Sequence, residues 1–544
     1  MLSFLCIVLL SFSWLGSAQQ NNHEGFLQCL PLHSDGSAAI SKLIHTPIDS
    51  SYTSVLQSTM QNLRFNTTAT PKPIVIVTPQ NPSHIQAAII CAQKHNLQLR
   101  IRSGGHDYEG LSYVARDPFV VVDMTNLREV NVDVETSTAW VQSGATLGEF
   151  YYKIGNASRT LAFPAGFCPT VGVGGYISGG GYGGLLRKYG LAADNVIDAQ
   201  LVDVKGRILD RASMGEDLFW AIRGGGGNTF GVVVAWKVNL VKVPPTVTVF
   251  SVPRTLEQNA TKLIHRWQYI GSKFPQELLM AVLVGGANVS GSGGNQKTVV
   301  ATFNSLYLGG ADKLLELMQE SFPELGLVKE DCREVSWIEF VVFFSGYPPN
   351  SSLDVLLNRT PLPILRRSFK AKSDYVREPM PESAWEGMWE KFFIRINDTE
   401  APTFFMTPYG GRMGQIPESQ IPFPHRAGVL FKIHYLIFWD GGDNEVGQRS
   451  LSLIRGLYTY LTPYVSKNPR EAYVNYRDLD LGTNNQGRRT SYRQARLWGL
   501  KYFKNNFDRY MRTRNNFRDE AKAVRVAVLL AKAKVDKELH EVGD

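Results

Sequence analysis

Residues 163–184, reading FPAGFCPTVGVGGYISGGGYGG, limit this chain more than any other stretch. Nine glycines fall within twenty-two residues, and a single cysteine, Cys168, stands near the start. Glycine brings no side chain to a core and loses more backbone entropy on folding than any other residue. A run this dense serves a backbone that must lie close against something large and flat, or against a pyrophosphate held by successive N–H groups. The run is therefore read as one wall of a dinucleotide site, with Cys168 touching the bound group.

Two further glycine turns bear on what is bound. Ser103-Gly104-Gly105-His106 follows a strand pattern over 98–102, and Gly224–Gly227, with Asn228 after it, separates β-rich segments at 196–204 and 232–241. Gly179, Gly181 and Gly184 satisfy G-x-G-x-x-G, with Asp203 about twenty residues on, as in a nicotinamide-binding fold. The context speaks against that reading. No buried strand pattern precedes the motif, Gly190 breaks LLRKYG before a full helix, and the other two turns would have no role. A larger flavin dinucleotide gripped by three loops accounts for all of them. His106 and Cys168 then flank the cofactor.

Around these turns the chain reads as α+β. A strand over 71–79, a helix over 82–96 with Ile85, Ala88, Ile89 and Ala92 on one face, and the strand over 98–102 form a βαβ unit. Further strands are expected at 119–124 and 139–143, and a helix at 146–154 with Thr146 and Glu149 as its cap. Pro244-Pro245 closes this region. Beyond it, strands at 247–252, 278–284 and 298–308 mix with helices at 256–274, 311–322 and 382–393. Residues 429–439, VLFKIHYLIFW, alternate with period two. Lys432, His434, Leu436 and Phe438 share one face. Two readings stay open: a rim strand facing water, or a sheet roofing a site. Residues 471–483 read as strand-like and then acidic, and 490–511 as one helix rich in aromatic and basic residues.

At 544 residues the chain exceeds one core. Apolar residues at 44% and charged residues at 19% place it among globular proteins rather than disordered ones. Its net charge of +8 has no long basic run behind it, so nucleic-acid binding is not expected. Residues 1–18 read as a secretory signal, and no later apolar run is long enough to anchor the chain in a membrane. Seven Asn-x-Ser/Thr sequons, at Asn66, Asn156, Asn259, Asn288, Asn350, Asn358 and Asn397, agree with the secretory pathway. The expected location is the apoplast or cell wall, with the vacuole as the alternative. Cys6 leaves with the signal. The four remaining cysteines allow three full pairings. A Cys29–Cys91 staple is expected, with Cys332 as a buried free thiol.

Five segments carry a resemblance: RSGGHDYEG (102–110), GFCPTVGVGGYISGGGYGGLLRKYGLAADN (166–195), DLFWAIRGGGGNTFGVV (217–233), FPHRAG (423–428) and VNYRDLDLG (474–482). In order and spacing the chain resembles the berberine bridge enzyme-like family of plant flavoproteins, within the vanillyl-alcohol oxidase superfamily, from about residue 29 to about residue 507.

The resemblance implies FAD attached twice, through His106 and Cys168, between two α/β subdomains and facing a substrate domain with an antiparallel sheet. It divides the chain into a signal (1–18), an N-terminal segment (19–70), an FAD-binding domain (71–245), a substrate domain (246–470), a return to the FAD domain (471–515) and an atypical tail (516–544). With the glycine loops it assigns Arg102, Ser103, Gly104, Gly105, Gly172, Gly174, Gly175, Gly179, Asn228, Val233 and Asn475 to the cofactor. No metal is expected.

Tyr476 is similar to the tyrosine that takes the substrate hydroxyl proton. Lys432 is similar to the lysine that favours its phenolate, and Tyr108 and Tyr182 resemble cavity tyrosines. Val171 resembles the gate position, where a small valine is associated with oxygen access. His434 departs from the glutamine or glutamate of relatives. The tail departs too: the usual Val-Asp-Pro turn is missing, Asn516-Phe517-Arg518 is a remnant, and an amphipathic helix follows. The implied function is that of a secreted monomeric oxidase of small molecules. It would turn a cinnamyl-type alcohol into an aldehyde and O2 into H2O2. Sugar oxidation to a lactone, oxidative cyclisation of an alkaloid or terpenophenol, and FAD holding without turnover are the alternatives.

Overall fold

The computed structural model describes residues 22–35, 40–226, 229–288, 297–348, 350–360, 362, 366–394, 401–441, 445–485 and 490–519. The signal, Asn228, Asn397 and the tail beyond residue 519 lie outside the described residues.

Strands β1 (Ile44–His45), β2 (Val75–Val77), β3 (Gln98–Arg102) and β4 (Phe119–Asp123) form a sheet in the order β1-β2-β4-β3. β2 and β3 both run parallel to β4, so the βαβ crossover leaves a slot that β4 fills. The crossover helix α1 (Pro82–Lys94) has Pro82 in its first turn and Asn81 as cap, accepting from the His84 N–H at 3.1 Å. Its expected inner face, Ile85, Ala88, Ile89 and Ala92, is buried. The Cys29–Cys91 disulfide joins a helix over 22–32 to α1. Cys332 is a free thiol, half-buried rather than buried.

A second sheet is antiparallel, in the order β5-β6-β10-β8-β9. Its strands are β5 (Val130–Asp133), β6 (Thr138–Gln142), β8 (Val196–Asp203), β9 (Ile208–Leu209) and β10 (Gly231–Asn239); β7 (Leu161–Ala162) pairs with β11 (Val241–Lys242). Helix α2 (Leu147–Ala157) starts in a capping box. Thr146 Oγ1 accepts from the Glu149 N–H at 3.2 Å, and the Glu149 carboxylate accepts from the Thr146 N–H at 2.9 Å. Inside the glycine stretch a short helix, α3 (Val173–Ser178), forms where none was expected.

After Pro244-Pro245 the chain leaves these sheets for a seven-stranded antiparallel one, β15-β12-β14-β13-β17-β18-β16. Its members are β12 (Val247–Thr255), β13 (Leu278–Asn288), β14 (Lys297–Tyr307), β15 (Arg333–Val335), β16 (Ser368–Val376), β17 (Thr403–Pro408) and β18 (Phe431–Trp439). β18 lies between β17 and β16, paired on both edges. Lys432 is 0% exposed. The rim reading of this strand is thereby excluded, because both edges are hydrogen-bonded and Lys432 is buried; His434, Leu436 and Phe438 on the same face are half-buried.

Residues 471–485 return to the core that holds α2 and β10, where Ala472, Tyr473 and Val474 are buried. The strand expected here is absent. The segment is irregular and ends in a 3-10 turn, because its polar groups bond to side chains rather than to a neighbouring strand: Glu471 N–H donates to Ser466 Oγ and Tyr473 N–H to Ser373 Oγ. The single helix expected over 490–511 is two, α4 (Tyr492–Phe503) and α5 (Asn506–Asp519). Lys504, at φ 45°, breaks it and lets Phe507 fold back on Gly499, where any Cβ would collide with the ring.

Candidate active site

The turn after β3 and the glycine stretch meet backbone to backbone. A Cβ at Gly104 would collide with the Gly172 backbone, and one at Gly172 with Ser103. Gly105 adopts φ 70°, a region that disfavours side chains, with the Thr59 carbonyl beside it. Gly179 leaves room for the Asn475 side chain, whose Nδ2 donates to the Tyr176 carbonyl at 2.9 Å. These approaches enclose a cavity of about 520 Å³.

Ser103, Gly104, Gly105 and His106 line it on one side; Cys168, Val171, Gly172, Gly175 and Gly179 line it on another; Asn475 closes it from the C-terminal return. Gly225 and Gly226 of the third glycine turn also reach it. Nothing lies within 4 Å of where a Gly175 Cβ would stand, so this glycine opens directly into the space.

His106 Nε2 and Cys168 Sγ share one partner, the Thr170 hydroxyl, at 2.9 and 3.6 Å. Burial pushes His106 down to about 4, so its imidazole is neutral at neutral pH with a lone pair to offer. Burial pushes the Cys168 thiol up. An imidazole nitrogen and a thiol sulfur thus stand together at the wall of a cavity whose glycines leave room for a flat or phosphorylated group. The site fits FAD. His106 and Cys168 would hold its ring system, and the three glycine turns would supply N–H groups.

Three residues expected at the cofactor do not line the cavity. Arg102 Nε donates to Asp123 at 2.9 Å and Nη1 to the Leu56 carbonyl at 2.7 Å, so this arginine ties β3 to β4. Gly174 makes room for Ser143, and Val233 packs into the apolar core from β10. Each sits beside a glycine turn in sequence, but its position on strand or helix turns it to the other side.

The other end of the cavity is aromatic. Tyr182 and Tyr476 join hydroxyl to hydroxyl in a short hydrogen bond. The Lys432 ammonium lies over the Tyr182 ring, 3.0 Å from its centroid, and 4.5 Å from that of Tyr476. Such placement is a cation–π contact in a desolvated setting. Lys432 Nζ has no hydrogen-bond partner among the described residues. Burial drives Lys432 well below its ordinary range and Tyr476 well above its own, so the phenol rests protonated. His434 stacks on Tyr476 at 4.0 Å, and Tyr108 lies parallel to Tyr476 at 5.2 Å. Burial, then the Lys432 charge, pushes His434 down to about 3, so its ring is neutral. Phe405, paired with His434 across β17 and β18, and Phe167 and Phe344 also line the cavity.

The sequence reading passed over Thr170, Tyr473 and Arg477. Tyr473 accepts from the Gly181 N–H at 2.9 Å, and its spacing from Tyr476 within one short segment was the available signal. Thr170 and Arg477 also stand within quoted motifs, and only the fold separates them from their neighbours.

A family model described as an FAD binding domain matches residues 73–211, and one described as berberine and berberine like matches residues 472–522. Tetrahydroberberine oxidase of Berberis wilsoniae is 53% identical over 502 residues, covering 91% of this chain and 92% of the relative. The chain belongs to the berberine bridge enzyme-like family. As a member it is an FAD-dependent oxidoreductase with the α+β fold of vanillyl-alcohol oxidase type flavoproteins. Among solved structures, BBE-like 28 from Arabidopsis thaliana superposes with a TM-score of 0.84 at 47% identity, covering 91% of this chain and 97% of that one. Phl p 4, a grass pollen allergen with glucose dehydrogenase activity, gives 0.86 at 42% identity, covering 94% and 100%. Among the described residues no helix is long and apolar enough to cross a membrane.

Proposed function

We propose that this chain is a secreted oxidase whose FAD is linked to both His106 and Cys168, and that it converts a cinnamyl-type alcohol to its aldehyde while O2 becomes H2O2. The reading rests chiefly on the Tyr476–Tyr182–Lys432 cluster at the aromatic end of the cavity. When bound, FAD supplies the acceptor for the hydride leaving the substrate carbon, and O2 takes the electron pair onward as H2O2.

The chain's own groups handle the proton and the fit. Tyr476 acts in its phenolate form: its own phenol proton leaves to solvent first, and Oη then takes the substrate hydroxyl proton. The Tyr182 hydroxyl, already bonded to that oxygen, donates to it as it carries charge, and Lys432 over the Tyr182 face counters that charge. Neutral His434 offers Nε2, buried and without a hydrogen-bond partner among the described residues, to the substrate oxygen. Phe167, Phe344 and Phe405 stack on a planar aromatic substrate and exclude water better than they would serve a sugar. Val171, lining the cavity near Cys168, leaves the small space that O2 requires.

An alkaloid substrate is the second reading, since the same aromatic wall suits a fused-ring amine and one relative is named for tetrahydroberberine. A peroxide assay across cinnamyl alcohols, cello-oligosaccharides and alkaloids tests both. Peroxide from the alcohols and none from the others is expected; peroxide from the oligosaccharides alone would overturn both readings.

A further inference from the structure

Directly after Tyr476 stands an arginine with two buried nitrogens that no described residue satisfies. Arg477 is only 7% exposed, lines the cavity, and has Nε and Nη1 without hydrogen-bond partners among the described residues. Its guanidinium stands 5.1 Å from the Tyr502 ring centroid. The nearby carboxylates are committed elsewhere: Asp478 to Lys370 and Lys372 at 2.8 and 2.6 Å, and Glu109 to Lys370.

Tyr476 and Arg477 serve different parts of the cavity. Tyr476 keeps to Tyr182, Tyr108 and His434. The Arg477 charge bears on Tyr502 and Tyr510. Tyr510 in turn donates to Thr229 Oγ1 at 2.7 Å and packs against Gly225, and both Thr229 and Gly225 line the cavity. A buried guanidinium is tolerated when an anion completes it. Here the anion must come from the cavity, on the side where the third glycine turn reaches it.

We propose that Arg477 binds the diphosphate of the dinucleotide cofactor, acting as a cofactor-anchoring cation and not as part of the proton-transfer cluster. The assignment rests on the flavin reading above. A guanidinium suits it, since it presents several donors to phosphate oxygens without losing its charge on burial.

The test compares secreted wild-type protein with Arg477→Lys, which keeps the charge, and Arg477→Met, which keeps the packing against Tyr502. The readout is flavin per chain from the visible absorbance of denatured protein, with circular dichroism reporting the fold. Wild type is expected to carry flavin, Arg477→Met to lose at least about tenfold of it, and Arg477→Lys to keep at least half. A fully loaded Arg477→Met overturns the proposal. So does a full load with only a raised KM, which would assign the arginine to an anionic substrate. A folded, empty Arg477→Lys, or failure of both variants to be secreted beside loaded wild type, assigns it a structural role and also overturns the proposal. A wild type without flavin ends the flavin reading itself, so the two failures are distinct.

Discussion

At the residue scale the proposed chemistry rests on Tyr476, whose environment has two opposing effects. Burial holds its hydroxyl protonated, while Tyr182 and Lys432 stand ready to stabilise the anion. Tyr476→Phe is expected to slow anaerobic flavin reduction by substrate at least about hundredfold in stopped-flow measurements. An unchanged rate would remove Tyr476 as the base. His434 gives a prediction about pH. With its proton lost at about 3, the ring is neutral and stays so at all higher pH. His434→Gln should therefore leave the shape of the rate profile unchanged between about pH 5 and about pH 8; loss of a limb in that range would show that His434 titrates there. Lys432 and His434 stood out in the sequence because they share one period-two face, and Tyr476 and Tyr182 through the family motifs. The burial of Lys432 did not. That depended on β16 and β17 covering both edges of β18, and those strands lie 23 residues or more away in sequence.

At the scale of the element, the glycine stretch divides into glycines pressed against backbone or side chains and Gly175, which faces open space. A Cβ at Gly183 would collide with the Ala165 carbonyl, whereas one at Gly175 would meet open space. Gly183→Ala is expected to cost roughly 1–3 kcal/mol of stability, read as a lowered Tm. Gly175→Leu should fold normally, since α3 is helical there, yet carry little flavin. Normal flavin in Gly175→Leu would show that this part of the cavity is not the cofactor's. Glycine density made the wall legible. It could not separate Gly174, which makes room for Ser143, from Gly175 next to it, because the difference is which side of α3 each occupies. The break at Lys504 was likewise hidden: lysine gives no turn signal, and only the packing of Phe507 on Gly499 shows why the helix reverses.

The whole molecule joins two sheets of the first region to the seven-stranded sheet through the C-terminal return. Lys370 and Lys372 on β16 hold Asp478 and Asp480, and Lys370 also holds Glu109 from the turn after β3. The acidic half of VNYRDLDLG is thus a clamp, placed next to Tyr476. Glu471 is a second clamp, paired with Arg377 at 2.8 and 3.1 Å and with His425 at 2.6 Å. Burial opposes its charge, but His425 and Arg377 hold its carboxyl down at about 2. A depressed carboxyl contributes stability above its unfolded value and loses it as pH falls through the folded one. Glu471→Gln should therefore cost about 3 kcal/mol at neutral pH, with the difference from wild type vanishing between about pH 4.5 and about pH 2. A difference that persists at pH 2 would contradict the assignment.

The βαβ order and the family motifs were legible from local pattern, whereas this joining, of residues up to 261 apart, was not. The central claim is that one flavin sits in this cavity, tied to both sides of it. Mass spectrometry of digested holoenzyme tests it most directly. One cross-linked species, in which a single flavin joins the His106 peptide to the Cys168 peptide, is expected; both peptides recovered unmodified would contradict it.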